Sequence, residues 1–188
     1  VEAVGDVQVD GDRSAPIVVS TVAEARHFAA AGFTDITYGV PICRQRLVEL
    51  LALEDDVKGL RTAVLVDQQA QLDLLLDVVG AQGGRRVRVF LKVDTGYHRA
   101  GVDVEADVES AHALAFALHS SNAVDFVGLY SHAGHTYGAR TQEAIAAIAR
   151  QERQRISAFA RRLRAAGERM CAFDVVSIGS TPAVAAVP

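Results

Sequence analysis

Three short stretches of this 188-residue sequence gather side chains that can do chemistry. The first runs Leu91-Lys92-Val93-Asp94-Thr95-Gly96-Tyr97-His98-Arg99. In an extended strand Lys92 and Asp94 share one face, and Leu91 and Val93 take the other. Two charges on one face of a buried strand are costly unless partnered, so Lys92 and Asp94 are expected to meet each other or Arg99. The planar fork of Arg99 suits phenolate, carboxylate or phosphate oxygens. A purely structural salt-bridge network at the strand end is the other reading.

The second stretch is Tyr130-Ser131-His132-Ala133-Gly134-His135-Thr136-Tyr137-Gly138. Tyr130, His132, His135 and Tyr137 could sandwich a flat ring, and the glycines allow close backbone approach. A polar surface loop would also account for it. His132 and His135 stand three apart with no third ligand in register, so no metal site is expected here. The third stretch, Ser177-Ile178-Gly179-Ser180-Thr181-Pro182, comes after a late apolar run. Gly179, Ser180 and Thr181 could seat an anion where a short helix opens with Pro182 first, or simply cap that helix. His27, His112 and His119 fall in helical runs and read as surface or packing residues. The arginines of 150–164 read as a solvated helix face.

These stretches need elements to hold them. Short β-rich runs at 17–20, 35–40, 62–66, 87–93, 126–130 and 175–178 alternate with helical patterns. The first helix opens at Thr21, with Glu24 as capping-box partner, and ends at Gly32. Others cover 44–53, with Leu47, Leu50 and Leu51 on one face, and 69–79, with apolar residues at 72, 75, 76 and 79. Two more cover 109–118 and 141–166, the last closed by Gly167. Residues 80–84 read as a turn.

Six such repeats with near-continuous apolar strands predict a parallel sheet covered on both faces. An open doubly wound sheet concentrates its site at one switch point, whereas a barrel spreads it over many strand ends. Polar residues stand just after nearly every strand: Ser20 and Thr21, Tyr38, Asp67, 94–99, 131–137 and 179–181. The expectation is therefore α/β, a parallel (β/α)8-type TIM barrel, incomplete, with about six to seven repeats in one domain over 1–188. Six strands do not close such a barrel. We expect a fragment lacking one strand before residue 1 and one after 188, which puts 179–181 after strand seven, a common phosphate position.

Half of the residues are apolar and the net charge is −4, with charges mixed along the chain. That argues against nucleic acid. No apolar run approaches the roughly 18–20 residues of a membrane span, and the start has no signal-peptide pattern. Cys43 and Cys171 lack metal spacing and read as buried structural thiols in a reducing, cytoplasmic compartment.

Together the three stretches resemble the fold-type III pyridoxal-phosphate enzymes: alanine racemase, D-threonine aldolase and D-serine dehydratase, with the last two the nearer branch. Residues 17–25 and 31–36 are similar to that branch's second repeat. Ser131-His132-Ala133-Gly134-His135-Thr136-Tyr137 resembles its His-x-Gly-His-Ser-Tyr-like turn. The resemblance covers most of 15–183. It implies that Arg99 contacts the cofactor's 3′ oxygen, that Lys92 supports Arg99, and that His132 lines the pyridine ring. It likewise implies that Tyr137 and Tyr130 help hold the ring or its nitrogen, that His135 joins the cofactor contacts, and that Gly179, Ser180 and Thr181 clamp the phosphate. In one respect the sequence departs from the family. The Schiff-base lysine of relatives sits on the first strand in a Lys-Thr-His-Lys-like motif, and neither Lys58 nor Lys92 matches it. The opening Val1-Glu2-Ala3 resembles the residues directly after that motif in relatives, which places the catalytic lysine upstream of Val1. The family's carboxyl-terminal β domain, with its zinc-binding His and Cys, is also expected outside the chain.

The function implied is a pyridoxal-phosphate-dependent lyase converting D-serine, or a similar D-β-hydroxy amino acid, to a keto acid and ammonia. Aldol cleavage of D-threonine and racemisation are the near alternatives. A non-catalytic pyridoxal-phosphate-binding barrel and an unrelated sugar-phosphate barrel are the distant ones. A small amino acid as partner molecule, a homodimer, and an inactive fragment complete the expectation. A carboxylate acid/base pair at the strand ends would favour a sugar-phosphate enzyme, and only Asp67 and Asp94 offer one.

Overall fold

The computed structural model describes residues 2–80, 84–166 and 173–186. Gly167, Cys171 and most of the 80–84 turn lie outside the described residues, as do Val1 and Pro188. The chain divides into two compact units.

The first unit comprises the chain through Val66 together with Ala70–Val89 and Asn122–Asp125. It opens with a helix that the sequence pattern did not predict, α1 (Glu2–Gln8). Then come β1 (Ile17–Val19), α2 (Val22–Ala30), β2 (Asp35–Pro41), α3 (Arg44–Asp56) and β3 (Arg61–Val66). All but the first residue of helix α4 (Gln69–Gly80) and the start of β4 (Val87–Asp94) also belong to it. Strands β1 and β2 pair parallel, as do β2 and β3, with Ile17 opposite Ile36 and Ile36 opposite Thr62. Helix α2 starts with a full capping box: Thr21 Oγ1 accepts from the Glu24 amide at 3.1 Å, and Glu24 accepts from the Thr21 amide at 3.0 Å. Leu47, Leu50 and Leu51 point inward from α3 as expected. On α4 the inward face is Leu72, Leu75, Val78 and Val79, while Leu76 is exposed. The 3.6-residue period carries 75, 78 and 79 onto one stripe and swings 76 out of it. Cys43 is exposed, which corrects its reading as a buried thiol; it precedes α3 and supplies no side-chain cap.

The buried Asp35 accepts from Arg61 and from Arg88, each at 2.8 Å. This pairing compensates the cost of burying a carboxylate. Arg85 joins Glu54 and Asp55, and Glu54 also takes the Thr62 hydroxyl at 2.7 Å.

The second unit holds Asp67–Gln69, Phe90–Ser121 and the chain from Phe126 onward. It contains the rest of β4, a two-residue strand β5 (Val102–Asp103) pairing with it, α5 (Val108–Ser120) and most of β6 (Val124–Tyr130). A 3-10 turn at Gly134–Gly138 comes next, then α6 (Gln142–Ala165), β7 (Val175–Ser177) and α7 (Thr181–Ala186). Strands β6 and β7 pair parallel, Leu129 opposite Val176. Pro182 is the second residue of α7 and not its first. Asp107 and Thr141 cap α5 and α6. Strands β4 and β6 have residues in both units, and the strand order is β1-β2-β3-β4-β6-β7. Six strands alternating with helices in this parallel order meet the α/β expectation.

Candidate functional site in the second unit

All nine residues singled out by sequence lie in the second unit. The turn after β4 is built on Asp94. Its Oδ1 accepts from the amides of Gly96, Tyr97 and His98 at 2.8, 3.0 and 3.1 Å, and its Oδ2 lies 3.2 Å from His98 Nδ1. Asp94 is thus spent on the turn, and the expected Lys92–Asp94 ion pair is absent among the described residues. The physical reason is local: three backbone donors within reach outcompete one lysine. Gly101 closes the turn at φ +118°, where a Cβ would strike the Asp94 backbone, and its amide donates to Asp67 Oδ2 at 2.8 Å.

The turn carries Arg99 outward. Arg99 is exposed, and its guanidinium stands over the Tyr97 ring with Cζ 4.8 Å from the centroid. Lys92 is 4% exposed, and its ammonium lies 5.0 Å from the centroid of the Tyr130 ring, a cation–π contact. Lys92 thus faces an aromatic ring where an anion was expected. Burial first, then the charge of Arg99, pushes the Lys92 ammonium below its ordinary value, while Asp67, Asp94 and Glu152 pull it back up. Tyr130, half-buried against Phe90, has its phenol pushed up by burial and then by Glu152.

The turn after β6 is tied to the turn after β7 at three points. His132 Nδ1 stands 3.1 Å from the Gly179 carbonyl. Because a carbonyl only accepts, Nδ1 carries the proton and Nε2 keeps its lone pair. Burial holds the His132 ring below its ordinary value, Arg99 and Lys92 lower it further, and the Gly179 bond opposes them. Thr136 Oγ1 donates to the Ala133 carbonyl at 2.7 Å, so the Ser180 hydroxyl, 2.7 Å away, is the donor to Thr136. Tyr137, 61% exposed, reaches Thr181 Oγ1 at 3.5 Å. His135 stacks on Tyr97 at 5.8 Å and 21°, beside Gly134, where a Cβ would collide with the Tyr97 ring.

The structure therefore brings Lys92 onto Tyr130 and Arg99 onto Tyr97, and it joins His132 to Gly179 and Tyr137, Tyr137 to Thr181, and Ser180 to Thr136. Sequence reasoning missed Tyr97, which carries both Arg99 and His135, and the pair Thr95 and Ser131, buried with their hydroxyls 2.8 Å apart. The signal for Tyr97 was present: an aromatic residue beside a glycine, two residues before the arginine. The donor set suits a phosphorylated aromatic ring with a phenolate oxygen: an outward guanidinium, a phenol, a flat imidazole and two hydroxyls beside a glycine. Among the described residues no group of three or more His, Cys, Asp or Glu could hold a metal ion, and no helix is long and apolar enough to cross a membrane.

Parallel strands alternating with helices, with polar turns at their ends, define a β/α domain. The chain belongs to the alanine racemase N-terminal domain family, whose model matches residues 7–188. It is 37% identical over 166 residues to D-threo-3-hydroxyaspartate dehydratase of Delftia sp. (strain HT23), covering 88% of this chain and 42% of that protein. It is 30% identical over 182 residues to D-serine dehydratase of Dictyostelium discoideum, covering 94% of this chain and 44% of that protein. The solved structure of the Delftia enzyme matches 98% of this chain and 46% of its own, at 33% identity and a TM-score of 0.82. The chain thus spans under half the length of these relatives. The expected resemblance to fold-type III pyridoxal-phosphate enzymes is met, and with it an α/β fold shared with part of a longer chain.

Proposed function

We propose that this chain supplies the cofactor cradle of a pyridoxal-phosphate-dependent lyase that removes the β-hydroxyl of a D-amino acid, giving a keto acid and ammonia. One observation carries the reading: the turn after β6 is bonded to the 179–181 turn, His132 Nδ1 to the Gly179 carbonyl at 3.1 Å, in the same unit as Arg99. The names of the relatives, two dehydratases of D-hydroxy amino acids, support the choice of chemistry.

Pyridoxal phosphate, when bound, supplies the electron sink for cleavage at the substrate's Cα. The chain's own residues orient and protonate. Arg99 would donate from its fork to the 3′ oxygen, and the buried Lys92 ammonium, seated on Tyr130, would add positive charge to the same unit. His132 presents a neutral face to the ring, fixed by its Nδ1–H on the Gly179 carbonyl. Tyr130 remains a protonated phenol at neutral pH and acts as a donor, since burial and Glu152 both raise it. The Thr181 hydroxyl and the backbone of Gly179 and Ser180 hold the phosphate, and the Ser180 hydroxyl is already committed to Thr136. The remaining parts belong to the same proposal: a lysine upstream of Val1, zinc ligands outside this chain, a cytoplasmic homodimer and a small amino acid as its substrate.

A second reading has its own observation. Lys92 is buried with its ammonium over the Tyr130 ring and is not presented to a ring held by Arg99 and His132. On that basis these 188 residues alone hold the cofactor without turnover. The test is an assay of the full-length polypeptide carrying this chain, with pyridoxal phosphate, on D-serine, D-threonine and D-threo-3-hydroxyaspartate. Keto acid with ammonia supports the dehydratase. Glycine with an aldehyde would replace it by an aldolase, the L-enantiomer by a racemase, and no turnover with retained cofactor by a binding protein.

A further inference from the structure

Helix α6 turns an apolar stripe inward: Ala149, Ile156, Phe159, Ala160 and Leu163 are all buried. Glu152 sits on that stripe at 1% exposure, where the helical period calls for a hydrocarbon side chain. A buried carboxylate is costly and persists where a specific donor holds it. Its donor is Ser131, whose hydroxyl points to Glu152 Oε1 at 2.8 Å. Ser131 has one proton, so the Thr95 hydroxyl, 2.8 Å away, must donate to Ser131. The result is a directed relay, Thr95 to Ser131 to Glu152, with all three groups buried.

The relay joins the turn that leads to Arg99 with the turn that begins at His132. A neighbour on the same helix reinforces it: Arg155 donates to the Thr95 carbonyl at 2.9 Å and pairs with Glu105 at 2.7 Å. Glu152 also lines a cavity of about 130 Å³ with Gly179 and Ala183, which brings it beside the third turn.

We propose that Glu152 is a positioning residue: its buried carboxylate, acting through Ser131 and Thr95, fixes the spacing of Arg99 and His132 around the ring they hold. This rests on the pyridoxal-phosphate reading above. The direction of its field agrees, since the Glu152 charge favours the protonated forms of Lys92, Tyr130 and His132 alike. A purely structural glutamate would need only to fill space. A positioning one needs an acceptor oxygen at this point, and a glutamine oxygen can supply that.

The experiment compares Glu152→Gln, Glu152→Leu and Ser131→Ala in the full-length protein, titrating each apoprotein with pyridoxal phosphate and reading Kd and the visible absorbance maximum. Glu152→Gln is expected to keep both, with Kd within about threefold of wild type. Glu152→Leu fits the stripe, keeps the fold by circular dichroism, raises Kd about tenfold or more and shifts the maximum. Ser131→Ala breaks the same relay without touching the helix and is expected to match it, which keeps the test open should Glu152→Leu fail to fold. Folded variants that bind as wild type does, with an unmoved maximum, overturn the role of Glu152 and leave the cofactor reading standing. A wild-type protein that takes up no pyridoxal phosphate overturns the cofactor reading and the role together.

Discussion

The side-chain oxygens of Thr136 and Ser180 stand 2.7 Å apart, both buried, one in the turn after β6 and the other where α7 begins. Thr136 can hold this bond only because its own proton goes to the Ala133 carbonyl. Thr136→Val keeps the shape and removes both bonds, leaving buried groups unpaired. The expected cost is about 1–3 kcal/mol. At about 2–4 °C per kcal/mol for a chain of this size, thermal unfolding reads it directly. An unchanged Tm would show that the two turns do not depend on this bond.

Asp35 is the corresponding tie of the first unit. Asp35→Ala leaves Arg88, whose side chain is mostly covered, without its anion. Breaking a buried pair costs about 3–5 kcal/mol. The lower end applies, because the Arg61 side chain is open to solvent. A Tm loss larger than that of Thr136→Val is expected.

Acid should loosen the second unit. Burial holds His132 and His135 below the ordinary 6.5 in the folded chain. As pH falls through 6.5 the unfolded chain takes up protons that the folded chain refuses, so stability present above 6.5 is lost below it. Tm measured between about pH 5 and 8 should therefore fall on the acid side. Replacing both histidines by glutamine should flatten that fall, and a profile unaffected by the replacements would contradict the burial argument.

Arg99 presents its fork with no hydrogen-bond partner among the described residues. Arg99→Lys keeps the charge and loses the planar pair of donors. Pyridoxal-phosphate Kd should rise about tenfold for Lys and further for Ala, with Tm unmoved. Equal affinities would remove Arg99 from the site.

Much of this architecture was legible in the sequence because local signals agree with the fold. Apolar runs marked all six longer strands, and Thr21 with Glu24 marked a helix start to the residue. What escaped were features set by tertiary partners. The two residues of β5 exist only by pairing with β4. Leu76 matched the apolar pattern but lies outside it in space. Asp94 looked like the partner of Lys92 and instead closes its own turn, since three amides two to four residues away cost little to reach. Glu152 had a visible signature, a carboxylate on an apolar stripe, but its meaning required Ser131, twenty-one residues away.

A crystal structure of the full-length protein with pyridoxal phosphate tests most directly whether these turns share one cofactor. The phosphate should rest on the 179–181 turn with Thr181 Oγ1 at hydrogen-bond distance, the 3′ oxygen should meet Arg99, and the ring should lie against His132. A phosphate bound away from residues 179–181, or a ring with Arg99 and His132 both turned elsewhere, would contradict it.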